Sequence, residues 1–349
     1  MNIPQSMSFL SPEEIATREM AQHAGTVMPN LSTLFKDREI RLRQLAAGHS
    51  MRDFLIFMAD LASAQHRALN DPDLSQAHHS STHLPELKDL QAQAQMGLAP
   101  LDPKRWSLAS TWTRELEFIL RELERHLSEQ TVVKRVIDEI RAMSSEQLNQ
   151  QAQCLLLNDH NHLHMGAAPL IASALQVHWV WLAASTASLY PEHAFPAKSD
   201  ASACPCCGSK PVASLNRLGS DVGVTRYLNC SLCQTQWHMT RIKCAHCQST
   251  QSIAYHSLVD QEGHAVQVSV VDEGGVSLET CDECHHYLKI VNMAKDVQVE
   301  PVADDLATLT LDLLIAEQGY ERAGLNFMML FGRDEAEHSN PSVPAGDPR

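Results

Sequence analysis

Four Cys-x-x-Cys pairs fall within about 80 residues of this 349-residue chain: Cys204/Cys207, Cys230/Cys233, Cys244/Cys247 and Cys281/Cys284. That spacing restricts what the C-terminal half can fold into. A tight turn through two cysteines aims both sulfurs at one point, and backbone amides can point back at them. Two such turns, brought together by strands, make a tetrahedral four-thiolate site. Small β modules bury little core, so an ion substitutes for it. One isolated pair is a weak signal, whereas four in succession predict two metal-braced ribbons. Cys204-Pro205-Cys206-Cys207-Gly208 has proline and glycine where a tight turn favours them, and the other three pairs lack the glycine.

Sequential pairing closes each site around its own hairpin. It groups Cys204, Cys207, Cys230 and Cys233, then Cys244, Cys247, Cys281 and Cys284. Interleaved pairing would make the connections cross, which chains generally avoid. Structural bracing is the leading role for at least one site. Thioredoxin-like redox chemistry usually needs one exposed pair at a helix start, so four copies argue against it. Cys206 is left over inside the first knuckle and reads as a filler. His246, His285 and His286 lie in or beside knuckles and are candidates to contact the ligands. Trp237 and His238 are expected to pack over a site. Asp159 to His164 carries three alternating histidines that cannot share one helical face, and reads as a polar loop. The spacing itself permits zinc and iron equally.

Nine of the ten cysteines lie after position 200. In a chain this long the paired spacing suits metal better than disulfides, and thiolates are available in a reducing cytoplasm. Met1 to Glu14 has neither the basic nor the apolar stretch of a secretory signal, so cytoplasmic localisation is expected. The formal net charge is −15. A protein built to grip phosphate backbones is normally basic, so acidity argues against nucleic acid and anionic membranes as partners, and against a zinc-ribbon nucleic-acid binder. Ala167 to Tyr190 has no charged residue and nearly matches a membrane span. Gln176, His178 and several hydroxyls interrupt it, and it reads as a helix buried in a bundle. No metalloprotease, P-loop, nucleophile-elbow or dinucleotide motif occurs, so no catalytic residues are assigned.

The resulting fold class is α+β: a helical bundle over residues 1–195, a first ribbon over 196–240, a second over 241–300, a C-terminal helix over 301–332 and a disordered tail over 333–349. Ser11, Pro12 and Glu14 read as a capping box. Helices follow around Phe35–Ala47 and through Phe54, Phe57, Met58, Leu61 and Ala62. Residues 71–103 read as a long connection with some helix. Trp112, Leu116, Ile119, Leu120, Leu123 and Leu127 form one apolar face, and Val133, Val136, Ile137, Ile140 and Met143 another. Ser144 with Gln147 caps the helix that carries Cys154. A linker runs from Pro191 to Ala203. Strands are expected at 212–218, 225–228, 236–242 and 287–291, with a hairpin of 253–259 and 265–271 about a turn at 261–263. Asp304 is expected to cap a last helix bearing Leu306, Leu309, Leu313 and Leu314, closed by Gly319.

The run Arg226-Tyr227-Leu228-Asn229-Cys230-Ser231-Leu232-Cys233, with Trp237-His238 and Lys243-Cys244, resembles the FdhE family of formate dehydrogenase accessory proteins. The first knuckle does too, as do Cys281-Asp282-x-Cys284 with Tyr287-Leu288-Lys289, and Ala303-Asp304-Asp305-Leu306-Ala307. Weaker echoes are Arg41-Leu42-Arg43-x-Leu45-Ala46 and Asp53-Phe54-Leu55-x-Phe57. The resemblance implies a cytoplasmic maturation factor, itself no dehydrogenase, that binds the catalytic subunit of a respiratory formate dehydrogenase before export. It also implies rubredoxin-like sites associated with iron. A rubredoxin-like redox protein acting on that subunit's cofactors is the alternative.

Overall fold

The computed structural model describes residues 25–81, 84–105, 111–125, 127, 131–159, 162–191, 194–195, 200–218, 224–256 and 275–329. The capping box at Ser11, the expected strand over 265–271 with its turn, and the tail from Arg333 lie outside them.

Ten helices occur among the described residues. They are α1 (Leu34–Leu45), α2 (Arg52–Leu69), α3 (Pro72–Ser81), α4 (Leu87–Gln95), α5 (Thr111–Glu124), α6 (Val132–Ala142), α7 (Ser145–Leu157), α8 (Ala168–Leu189), α9 (Pro301–Ala307) and α10 (Leu309–Ala316). On α5 the predicted face is buried through Trp112, Leu116, Ile119, Leu120 and Leu123, and Ile137 and Ile140 are buried on α6. The capping box of α7 is complete: Gln147 N donates to Ser144 Oγ at 3.2 Å, and Ser144 N donates to Gln147 Oε1 at 2.8 Å. Helix α8 packs against α5, α2 and α7. It is long and apolar enough to cross a membrane, yet 83% of its most apolar window is buried inside the molecule. Its lack of a polar face therefore follows from being enclosed on all sides.

The strands form one sheet. They are β1 (Thr26–Val27), β2 (Pro211–Leu218), β3 (Val224–Cys230), β4 (Gln236–His238), β5 (Ile253–His256), β6 (Val276–Cys281), β7 (His286–Asn292) and β8 (Glu321–Arg322). Their order is β1-β4-β3-β2-β7-β6-β5, with β8 against β7. Two antiparallel ribbons, β2-β3-β4 and β5-β6-β7, repeat one plan, a knuckle before the first strand and another between the second and third. They join edge to edge where β2 runs parallel to β7, with Ser214 opposite Ile290 and Asn216 opposite Asn292. That pairing covers an edge on each ribbon. A buried ion pair crosses the same seam, with Arg226 Nη1 2.9 Å from Glu279 Oε2.

The C-terminal segment differs from its sequence reading. Two short helices replace one, broken at Thr308. The cap is Glu300, whose carboxylate accepts from Ala303 N at 2.7 Å. Asp304 is buried and accepts from Arg41 Nε at 2.9 Å and Nη2 at 2.6 Å, because a buried carboxylate needs a counter-charge more than a helix needs a second cap. Leu313 and Leu314 are both exposed, and Leu306 of the same set is buried. Strand β4 stops at His238, as Thr240 N turns to donate to Asp200 Oδ1 at 2.6 Å.

Candidate metal centres

The eight paired cysteines come together in two groups of four, with sequential pairing. Cys204, Cys207, Cys230 and Cys233 form one, and Cys244, Cys247, Cys281 and Cys284 the other. Each knuckle is a short turn fixed by the backbone. In the first, Cys204 N donates to Ser209 O and Gly208 N to Cys204 O, at 2.9 and 2.8 Å. In the third, Cys244 N donates to Ser249 O and Gln248 N to Cys244 O, at 2.8 and 3.0 Å. In the fourth, His285 N donates to Cys281 O at 2.8 Å. The residue after the second cysteine is left-handed in all four: Gly208 at φ 74°, Gln234 at 60°, Gln248 at 65° and His285 at 53°. The turn that glycine makes easy in the first knuckle is thus adopted by glutamine and histidine in the others. Amides also turn toward sulfur, with Leu232 N 3.4 Å from Cys230 Sγ and His246 N 3.3 Å from Cys244 Sγ.

The geometry fits a tetrahedral ion. With metal–sulfur bonds of about 2.3 Å, ligand sulfurs stand about 3.8 Å apart. Cys204 and Cys233 are 3.5 Å apart, Cys207 and Cys230 3.4 Å. In the second cluster the separations are 3.8 Å for Cys244 and Cys284 and 3.7 Å for Cys247 and Cys281. The electrostatics also call for a cation. Burial pushes the thiols of Cys204, Cys206 and Cys230 well above the ordinary thiol range. Cys233 goes the other way: against the burial penalty, hydrogen bonds from its neighbouring thiols hold it well below that range. Burial thus opposes ionisation of the cluster, and a positive ion at its centre would favour the thiolate forms. The donor set could hold zinc or iron.

Burial separates the two clusters. All four sulfur residues of the first are buried, whereas Cys247 is exposed and Cys284 half-exposed in the second. The first cluster is locked to the helical half: Leu101 N donates to Cys206 O at 2.8 Å, and Gln176 Nε2 on α8 donates to Ser231 O at 2.8 Å. That bond accounts for a glutamine in an otherwise apolar helix. Beside the second cluster, the His246 and His286 rings stack at 3.6 Å, and His286 Nδ1 lies 2.6 Å from Cys284 O. Burial lowers the pKa of His246. His285 instead faces Tyr320. Trp237 is fully buried, with Nε1 donating to Ala201 O at 2.7 Å. Cys206 is buried in the first knuckle, against Cys204 and Cys233.

Of the histidine run after Asp159, His160 lies outside the described residues. His162 faces Asp159 at 3.5 Å and His164 faces Glu139 at 3.3 Å, as a polar loop does. A third group with metal-ligand chemistry, His78, Glu115 and His178, sits in the helical half. Its members are far apart along the chain, so no spacing motif announces it. The available signal was polar residues interrupting apolar helix faces, which His178 and Glu115 both do.

Comparisons with known proteins agree over most of the chain. Residues 24–189 match the family pattern "FdhE, N-terminal", residues 203–241 "FdhE, central domain" and residues 242–329 "FdhE, C-terminal domain". A protein from Serratia proteamaculans called "Protein FdhE homolog" is 36% identical over 330 residues, covering 92% of this chain and 97% of that one. "Protein FdhE" of Escherichia coli K12 is 33% identical over 310 residues, covering 88% and 92%. The crystal structure of the FdhE protein from Pseudomonas aeruginosa superposes with a TM-score of 0.72 at 30% identity, covering 89% of this chain and all of that one.

Proposed function

This chain belongs to the FdhE family, and from that premise we propose that it is an accessory protein for the maturation of formate dehydrogenase, acting in the cytoplasm by binding the catalytic subunit. The observation that carries the reading is family membership across all three segments, combined with two four-cysteine clusters in one sheet. In this reading Cys204, Cys207, Cys230 and Cys233 hold one metal ion, and Cys244, Cys247, Cys281 and Cys284 a second. Iron is the ion the family resemblance favours, with zinc chemically equivalent in the same donor set. The helical half, residues 1–195, is the scaffold, and the ribbons at 196–240 and 241–300 present the client-facing surface. The protein carries out no formate oxidation of its own.

The exposure of Cys247 favours a second role for the second cluster, as a rubredoxin-like centre whose metal reaches solvent or a bound client. Pull-down of the catalytic subunit by the wild type and by Cys207→Ser and Cys247→Ser tests the proposal. Binding is expected for the wild type and reduced for the variants, since the ribbons depend on their ions for shape. A host lacking the protein is expected to make the subunit but lose respiratory formate dehydrogenase activity. Full activity after deletion would overturn the maturation role. Unchanged activity after reduction or oxidation of the second centre would remove the redox role.

A further inference from the structure

Glu115 on α5 is completely buried in the helical half, and the groups paired with it among the described residues are two imidazoles. His78 on α3 brings Nε2 to 2.7 Å from Oε1, and His178 on α8 brings Nδ1 to 3.3 Å from Oε2. Both histidines are buried as well. Their surroundings are dry and aromatic: His78 stacks on Trp181 at 4.3 Å, and His178 lies edge-on to Trp179 at 5.5 Å. A carboxylate in such a place costs several kcal/mol unless a cation sits beside it. A charged Glu115 therefore needs a cation beside it.

Two cations are chemically available, a proton on one imidazole or a metal ion among all three groups. A shared proton needs an N–H aimed along the line to a carboxylate oxygen. The 2.7 Å contact of His78 is within hydrogen-bond reach and the 3.3 Å contact of His178 is longer, while His78 Nδ1 and His178 Nε2 have no hydrogen-bond partner among the described residues. What converges is one ligand atom from each of three residues, all within 4.8 Å of one another. Thr111 Oγ1 lies 3.5 Å from His178 Nδ1, on the same side of the cluster.

We propose that His78, Glu115 and His178 form a third metal site, chemically unlike the two thiolate clusters. Two neutral imidazoles and one carboxylate make an N₂O donor set, which suits a divalent ion of the zinc or ferrous class. A dication offsets the charge of Glu115 without charging either ring, and leaves the site with a single net positive charge. The site is sealed, so its ion enters as the bundle folds and ties α3 to α5 and α8.

Cadmium-113 NMR on the full-length protein, refolded from denaturant in excess cadmium so that the sealed site can fill, separates the donor sets by chemical shift. Tetrathiolate cadmium is strongly deshielded, and a nitrogen–oxygen site resonates far upfield of it. Two thiolate resonances and a third upfield one are expected in the wild type. Glu115→Gln is expected to lose the upfield resonance and keep both others. Absence of the upfield resonance in the wild type would overturn the site and identify the cluster as a proton-bridged charge pair. Its survival in Glu115→Gln would equally overturn the assignment. Should Glu115→Gln fold poorly, the wild-type spectrum decides alone, and the thiolate resonances report separately on the clusters of the proposed function.

Discussion

The left-handed residue after the second cysteine is the smallest unit on which both clusters depend. An L residue with a Cβ pays roughly 1–2 kcal/mol for that conformation, and glycine does not. The four knuckles use Gly208, Gln234, Gln248 and His285 there. At Gly208 an added Cβ would meet only Ala99 Cβ, at 3.5 Å, so the cost of Gly208→Ala is conformational rather than steric. It should destabilise the protein by about 1–2 kcal/mol. His285 is exposed, so His285→Gly should do the reverse, with a gain of about 1 kcal/mol. Denaturation midpoints of the two variants against wild type check the pair, and shifts of the same sign would exclude a backbone cause. At this scale the sequence was only partly legible. The eight cysteines and their grouping could be read from spacing. The common turn could not, because glutamine and histidine give no local sign that the surrounding hydrogen bonds hold them at positive φ.

Between elements, buried charge pairs do much of the positioning. Arg41 on α1 meets Asp304 on α9, and Arg38 Nη2 meets Glu300 at 2.9 Å. The segments around Arg41 and Asp304 both carried the family resemblance in the sequence, and the fold explains why they belong together. Removing one partner of a buried pair strands the other charge, at about 3–5 kcal/mol. Arg41→Met should therefore cost that much, and Asp304→Asn added to it should restore a large part. A double variant no more stable than Arg41→Met would mean that the arginine acts through packing alone. A second inter-helix link is nearer solvent. Arg141 on α6 and Lys134 at the start of α6 hydrogen-bond Glu124 at the end of α5, holding its carboxyl down to about 2. A folded pKa below the unfolded one gives stability that is present above about 4.5 and is lost as the pH falls toward 2. Glu124→Gln should then match wild type near pH 2 and be less stable at neutral pH, by a small amount given the solvent exposure. Urea midpoints at several pH values test this, and a parallel pH dependence in both proteins would refute it. The helices with strong period or local caps, such as α2, α5, α6 and α7, were foretold, whereas α3 and α4 were read only as some helix within a connection, and the C-terminal pair was read as one. Strand β6 and the β2–β7 junction were not: Val276-Ser277-Leu278-Glu279 does alternate, but the run is short and ends in a knuckle cysteine, and a parallel pairing between distant strands leaves no local trace.

Across the whole molecule, the two clusters are equivalent in plan and unequal in access. One continuous core includes α8, Cys204, Cys207, Cys230, Cys233 and Trp237, so the first cluster is part of the same packed interior as the helical bundle. Leu215, Leu278, Tyr287 and Leu311 form a separate apolar cluster under the second ribbon, and Cys247 opens to solvent. An ion held by buried sulfurs leaves only when the surrounding core opens, at a free energy approaching that of global unfolding. An ion with an exposed ligand can be attacked directly, one sulfur at a time. With cobalt in the thiolate clusters, a chelator should therefore remove the sulfur–cobalt charge-transfer absorbance in two phases of similar amplitude. The fast phase should belong to the second cluster and vanish in Cys247→Ser, leaving the slow phase intact. The slow phase should accelerate with denaturant, as an opening-limited process does, and the fast phase should respond mainly to chelator concentration. A single phase, or a fast phase that survives in Cys247→Ser, would show that exposure does not govern release. If the order holds, the ribbon farther from the helical core is the one whose metal a bound client can reach, while the nearer one holds the sheet to the bundle.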